Sequence, residues 1–193
     1  MKKSFLIILA LLFSQISFAQ IEGRRFEISS SGSLGTVSSV SESGNYTYES
    51  DAKFYFNAFI RAGYFLYGGF QFEPEFYTFL VEGEKPSFVV SGNIAYNHKI
   101  MDTKFYPFVL VGYGLGNSYP FLTATNAFIR MSDKFDVTCL NAGFGLKYFF
   151  TNSVAVRTEY RYQRFHDKLE DSYSNSEYTR KLNSLLIGFS ILI

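Results

Sequence analysis

Hydrophobic and polar residues alternate one by one through most of the chain. In "VAVRTEYRYQR" (Val154–Arg164), one parity carries Arg157, Glu159, Arg161 and Gln163. The other carries Val154, Val156, Thr158, Tyr160 and Tyr162. A period of two belongs to β-strands, whose successive side chains point to opposite faces. The same alternation recurs at Arg25–Thr36, Lys53–Leu66, Phe70–Leu80, Phe88–Asn97, Phe105–Gly116, Phe135–Phe149, Ser153–Gln163 and Asn183–Ile193. The pattern therefore predicts eight strands and no helix. Most are longer than the roughly five or six residues usual in soluble proteins. They reach the roughly nine to eleven that a strand needs to cross a bilayer.

The predicted connections alternate in length. Tyr67-Gly68-Gly69, His98–Lys104 and Phe150-Thr151-Asn152 are short. Val37–Ala52, Asn117–Lys134 and Arg164–Leu182 are long and polar, and Val81–Ser87 is a shorter member of that set. Short turns at one rim and long loops at the other are the asymmetry of an outer-membrane barrel. If Leu66 faces Phe70 across the first short turn, Arg61 faces Glu75 and Gly63 faces Glu73, which keeps faces matched. Around the last short turn, Gly143 and Gly145 lie against Arg157, Glu159 and Arg161, leaving room for long side chains.

Alternation alone does not say which face is wet. A lipocalin-like barrel keeps its charges outside, and a membrane barrel does the reverse. Three features favour the reverse. One face is strongly apolar, with Phe54, Phe56, Ile60, Phe72, Phe76, Ile94, Val109, Val111, Phe144, Ile187 and Phe189 among its members. An eight-stranded barrel has space for few such groups inside. The opposite face is small or polar: Ser29, Ser31, Asn57, Gln71, Ser91, Asn93, Gly112, Asn141, Gly143 and Ser190. Its charges also balance, with Arg61, Lys147, Arg157 and Arg161 against Glu27, Glu73, Glu75 and Glu159. A confined lumen needs that balance, because an unpaired charge there is costly. These eight residues are the expected lumen charge network.

Composition agrees. Aromatic residues make up 20% of the 193, as 23 Phe and 15 Tyr with no Trp. That load is hard to bury in a soluble domain of this size. Lys+Arg number 18 and Asp+Glu 17, so nothing suggests a nucleic-acid partner. Residues 1–19 read as a signal peptide: Lys2 and Lys3, the apolar run Phe5–Phe13, then Ser17 and Ala19 at the −3 and −1 positions of a cleavage site before Gln20. Residues 20–193 are the expected barrel domain.

The segments "YPFVLVGYGLG" (Tyr106–Gly116), "NAGFGLKYFF" (Asn141–Phe150), "VAVRTEYRYQ" (Val154–Gln163) and "LLIGFSILI" (Leu185–Ile193) resemble the small outer-membrane β-barrel superfamily of the OmpA/OmpX type. The "FAQ" cleavage context looks like that of Bacteroidetes members. The resemblance implies an all-β, eight-stranded antiparallel up-and-down transmembrane β-barrel, placed in the outer membrane by the barrel-assembly machinery. Relatives commonly end in an aromatic residue, whereas this chain ends in Ile193.

Candidate chemistry is sparse. His166, Asp167 and Ser172 gather near the outer end of the seventh predicted strand, and His98 falls in a short turn. Adjacent His and Asp on a strand point to opposite faces, so a catalytic pair is disfavoured. Cys139 is the only cysteine, which excludes an internal disulfide framework and a multi-cysteine metal site. "GYGLG" (Gly112–Gly116) lacks the strand–turn–helix context of a nucleotide loop. No cofactor or metal is expected. The leading function is a structural or surface-interaction role through the outer loops, with Tyr46, Tyr48, Tyr173 and Tyr178 as contacts. Expected partners are outer-membrane lipid, lipopolysaccharide, and a surface ligand or host protein. A narrow solute or ion pore and a lipid A-modifying enzyme are the alternatives.

Overall fold

The computed structural model describes residues 25–37, 40–43, 46–49, 53–83, 86–117, 137–171 and 174–193. The expected signal peptide, Tyr173 and Ser172 lie outside them. Strands are β1 (Phe26–Val37), β2 (Val40–Ser43), β3 (Tyr46–Glu49), β4 (Lys53–Phe65), β5 (Phe70–Val81), β6 (Ser87–Asn97), β7 (Phe105–Gly116), β8 (Val137–Phe149), β9 (Val154–Asp171) and β10 (Ser174–Leu192). Eight of them close an antiparallel barrel in the order β1-β10-β9-β8-β7-β6-β5-β4, and β2 and β3 pair as a separate hairpin.

The Tyr67-Gly68-Gly69 turn sets the first register. Gly68 and Gly69 have φ of 58° and 88°, the left-handed region that glycine enters at least cost. The Leu66 amide donates to the Phe70 carbonyl at 2.8 Å, and Arg61 then pairs with Glu75. Pro74 has no amide hydrogen to offer, and the β4–β5 ladder is interrupted between Arg61↔Glu75 and Tyr64↔Phe72. Gly143 pairs with Arg161 and Gly145 with Glu159 on the facing strand.

Burial follows parity. On β5 the residues alternate exposed and buried from Phe70 to Leu80, apart from a half-buried Thr78. Ile60, Val111, Phe144, Leu185 and Ile187 are each at least 60% exposed, so the outer wall is continuously apolar. Three aromatic pairs ring that wall at the short-turn rim: Phe26–Tyr64 and Phe70–Tyr96 at 5.0 Å and Phe105–Tyr148 at 4.9 Å. Tyrosine placed there suits a membrane–water boundary.

Two expectations need correction. The segment Arg164–Leu182 is not a loop: β9 and β10 stay paired out to Ser174↔Asp171, so the hairpin projects beyond its neighbours. The segment Val37–Ala52 likewise contains the β2–β3 hairpin. Phe165 at the base of the β9–β10 hairpin still points into the lumen, and the pairing beyond it rests on backbone hydrogen bonds. The second correction concerns the inward face, which is not uniformly small or polar. Phe59, Tyr77, Phe79, Phe108, Phe149 and Phe165 all point into the barrel. Phe149 lies at one end, Phe59, Tyr77, Phe79 and Phe165 at the other, and Phe108 stands between them against Arg157.

Candidate functional site

Among the described residues buried polar chemistry concentrates in the lumen, which is built in layers. At the short-turn end Tyr106, Phe149, Ala155 and Leu192 pack together with Phe65. Tyr106 and Phe149 meet edge to face at 4.8 Å.

Above this floor Lys147 Nζ reaches Glu27 Oε2 at 2.7 Å and Gln71 Oε1 at 3.3 Å. Gln71 Nε2 donates to Glu27 at 3.0 Å, and Asn97 Nδ2 donates to Gln71 at 3.0 Å. One turn of the ladder higher, Arg157 forks onto Glu73 with contacts of 2.9 and 3.1 Å. Its Nε donates to Glu159 at 3.1 Å. The guanidinium lies 4.3 Å from the centre of the Phe108 ring, a favourable cation–π placement. A Cβ at Gly145 would collide with that ring, so glycine there makes space for it.

Higher still, Arg161 forks onto Glu75 at 2.9 and 3.0 Å and also meets Glu159 at 2.5 Å. Arg61 meets Glu75 from the adjacent strand at 2.5 Å and donates to Ser31 at 2.8 Å. Ser91 donates to the remaining side of Glu75 at 3.0 Å. Asn141 donates to Asn93 at 3.3 Å, and Gln163 donates to Asn141 at 3.1 Å. The long-connection end is closed by Phe59, Tyr77, Phe79, Val89, Val137, Cys139, Phe165 and Leu186. Tyr77 stacks on Phe59 at 4.8 Å, and its hydroxyl lies 3.1 Å from the Cys139 sulfur.

All eight charged residues singled out in the sequence therefore meet in one network. Four carboxylates face four cations, and every one is at most 2% exposed. Burying eight charges is tolerable because each has opposite charge and fixed donors or acceptors around it. The terminal apolar clusters were missed in the sequence. The signal that could have found them is parity, since Phe59 shares it with Arg61 and Phe165 with Gln163.

The other candidates lie apart. His166 is half-buried, on the parity opposite to lumen-facing Phe165, with its Nδ1 3.2 Å from Thr179 Oγ1. His98 is exposed just past β6 at the short-turn rim. Tyr46 and Tyr48 belong to β3, and Tyr178 pairs with Asp167 in the projecting hairpin. Among the described residues no cluster suits a metal ion.

A closed antiparallel barrel that is apolar outside and charged inside is a membrane-spanning barrel. The sequence profile of the family described as outer membrane protein beta-barrel domain matches residues 5–189, and the chain belongs to that family. Membership implies the bacterial outer membrane. The fold is similar to that of Neisserial surface protein A, at a TM-score of 0.56 and 14% identity over 87% of this chain and 97% of that one. It is also similar to the N-terminal β-barrel domain of Pseudomonas aeruginosa OprF, at 0.50 and 19% identity over 88% and 98%. At those identities the likeness concerns the fold alone. No curated protein sequence matches the chain.

Proposed function

We propose that this barrel is a surface-interaction protein whose lumen is a plug and whose working face is the rim of long connections. The observation that carries the reading is the lumen packing. Arg157, Arg161 and Lys147 are fully buried between two apolar clusters, so the charges hold the walls together and face no water path. In an outer-membrane barrel the longer connections face outward. That places the β2–β3 hairpin and the projecting β9–β10 hairpin outside the cell, where they meet lipopolysaccharide, a surface ligand or a host protein. Tyr46, Tyr48, Tyr173 and Tyr178 are the proposed contacts on that rim. The barrel-assembly machinery and membrane lipid complete the expected partners.

A pore would have to break the network at each opening. An enzyme working on lipid A would need a base aimed at the lipid, and His166 is instead held by Thr179. Purified protein inserted into planar bilayers should give no discrete conductance steps. Stable, ion-selective steps would assign it to the pore reading.

A further inference from the structure

Around most of the barrel, neighbouring strands stay paired along their length. The seam between β1 and β10 differs. Its ladder ends at Gly32↔Ile187. Yet β1 stays with β4 as far as Val37↔Lys53, and β10 stays with β9 as far as Ser174↔Asp171. Phe26 and Ile193 exchange both main-chain hydrogen bonds, so even residues of β1 and odd residues of β10 are those that face across the seam. The next such residues past the last pair are Leu34 and Leu185. Their main-chain groups therefore face a gap in which, among the described residues, no strand continues.

An open groove of about 800 Å³ runs along the outer wall over the end of this ladder and reaches the gap at Leu34 and Leu185, within the size range of small-ligand sites, about 300–1,000 Å³. It is lined by Ala58 and Ile60 of β4 and by Leu185 and Ile187 of β10, with the serines and Gly32 of β1 between them. On the lumen side Asn57 Oδ1 accepts from both the amide and the hydroxyl of Ser33, at 2.7 and 2.6 Å, so β1 is tied back to β4 there. The groove opens into the hydrocarbon that surrounds the rest of the wall. Its sides want an apolar chain, while its unpaired strand edges want both a donor and an acceptor.

We infer that this seam is a binding groove for one acyl chain of lipid A, the lipid of the outer leaflet. A hydroxylated, amide-linked acyl chain supplies hydrocarbon for Ile60, Leu185 and Ile187 and both hydrogen-bonding senses for the edges. The ester-linked chain of a glycerophospholipid offers acceptors only. The assignment rests on the proposed orientation, because the groove lies on the long-connection side of the last β1–β10 pair.

The test is native mass spectrometry of the full chain folded in detergent, after incubation with lipid A or with phosphatidylethanolamine. Ala58→Trp fills the groove, and Val111→Trp adds the same ring on a distant part of the wall. Heat-modifiable migration checks that each variant is folded. Leu185→Cys, labelled with a bulky maleimide after folding, blocks the groove in a barrel already formed. Cys139 is fully buried and stays silent in that reaction. The parent and Val111→Trp should retain lipid A, with about a tenfold loss in Ala58→Trp and in the labelled protein, equivalent to ~1.4 kcal/mol. Retention indifferent to both blocks would overturn the groove. Groove-dependent retention of phosphatidylethanolamine in place of lipid A would overturn the leaflet assignment and, with it, the orientation. A dimer that disappears on filling would give the seam to a second copy of the chain and sink the proposal.

Discussion

Arg157 on β9 grips Glu73 on β5 with two parallel contacts, Nη1–Oε1 at 2.9 Å and Nη2–Oε2 at 3.1 Å. In the barrel order β1-β10-β9-β8-β7-β6-β5-β4 these strands stand four places apart, on opposite walls. Arg161 and Glu75 repeat the crossing on the same two strands. The ion pairs are thus struts across the diameter, held in a layer with almost no exposure to bulk solvent.

Removing one end of a strut leaves the other buried and uncompensated. Glu73→Gln and Arg157→Gln should each destabilise the barrel by about 3–5 kcal/mol. The double variant should cost clearly less than the sum of the two. Urea unfolding in detergent measures all three, and strictly additive effects would mean that the pair is not coupled. Glu159 bridges Arg157 and Arg161, so Glu159→Gln should show coupling to both.

The apolar clusters predict a contrast between two walls of the same sheet. Phe165→Ala empties a fully buried site against Phe79 and should cost about 3–5 kcal/mol. Phe144→Ala, on the 60% exposed outer wall, opens no sealed cavity because lipid can follow the retreating surface. It should cost much less by the same urea titration. Equal losses would mean that the lumen cluster is not close-packed.

Much of this was legible in the sequence because a strand reports its faces at every second residue. Arg157, Glu159 and Arg161 announce their common side directly, and the Tyr67-Gly68-Gly69 turn sets Arg61 against Glu75. Parity says which way a side chain points, not what stands at the same height on the far wall. Phe59 and Arg61 share a face of β4 yet belong to different layers, and only the stagger of the closed barrel separates them. The β9–β10 extension was illegible for a related reason. Beyond Phe165 the stretch Asp171–Lys181 is almost wholly polar, so hydrophobic alternation does not mark the strands there. The parting of β1 from β10 depends on how far each strand follows its other neighbour, which no single segment encodes.

Cys139 provides a built-in probe of the long-connection cluster. Its thiol is fully buried and engaged with Tyr77 and Asn141. Folded protein should therefore resist maleimide for as long as the cluster holds. Labelling should appear together with the urea unfolding transition. Rapid labelling of the folded barrel would show that reagent enters from the rim, and the plug would fail as a barrier at that end.

The orientation predicts which engineered thiols meet the outside. Ser43 ends β2 in the hairpin beyond β1, and Ser174 starts β10 at the tip of the projecting hairpin. Asn152 lies in the short turn between β8 and β9, at the opposite rim. A buried Cys139 contributes no background, so single replacements suffice. Ser43→Cys and Ser174→Cys should react with a membrane-impermeant thiol reagent on intact cells, and Asn152→Cys should react only after the outer membrane is opened. The physical basis is the length rule: long polar connections at one rim, tight turns and an aromatic ring of Tyr64, Tyr96 and Tyr148 at the other. Labelling of Asn152→Cys alone on intact cells would invert the barrel. The β9–β10 hairpin would then project into the periplasm, and the proposed surface role would fall with it.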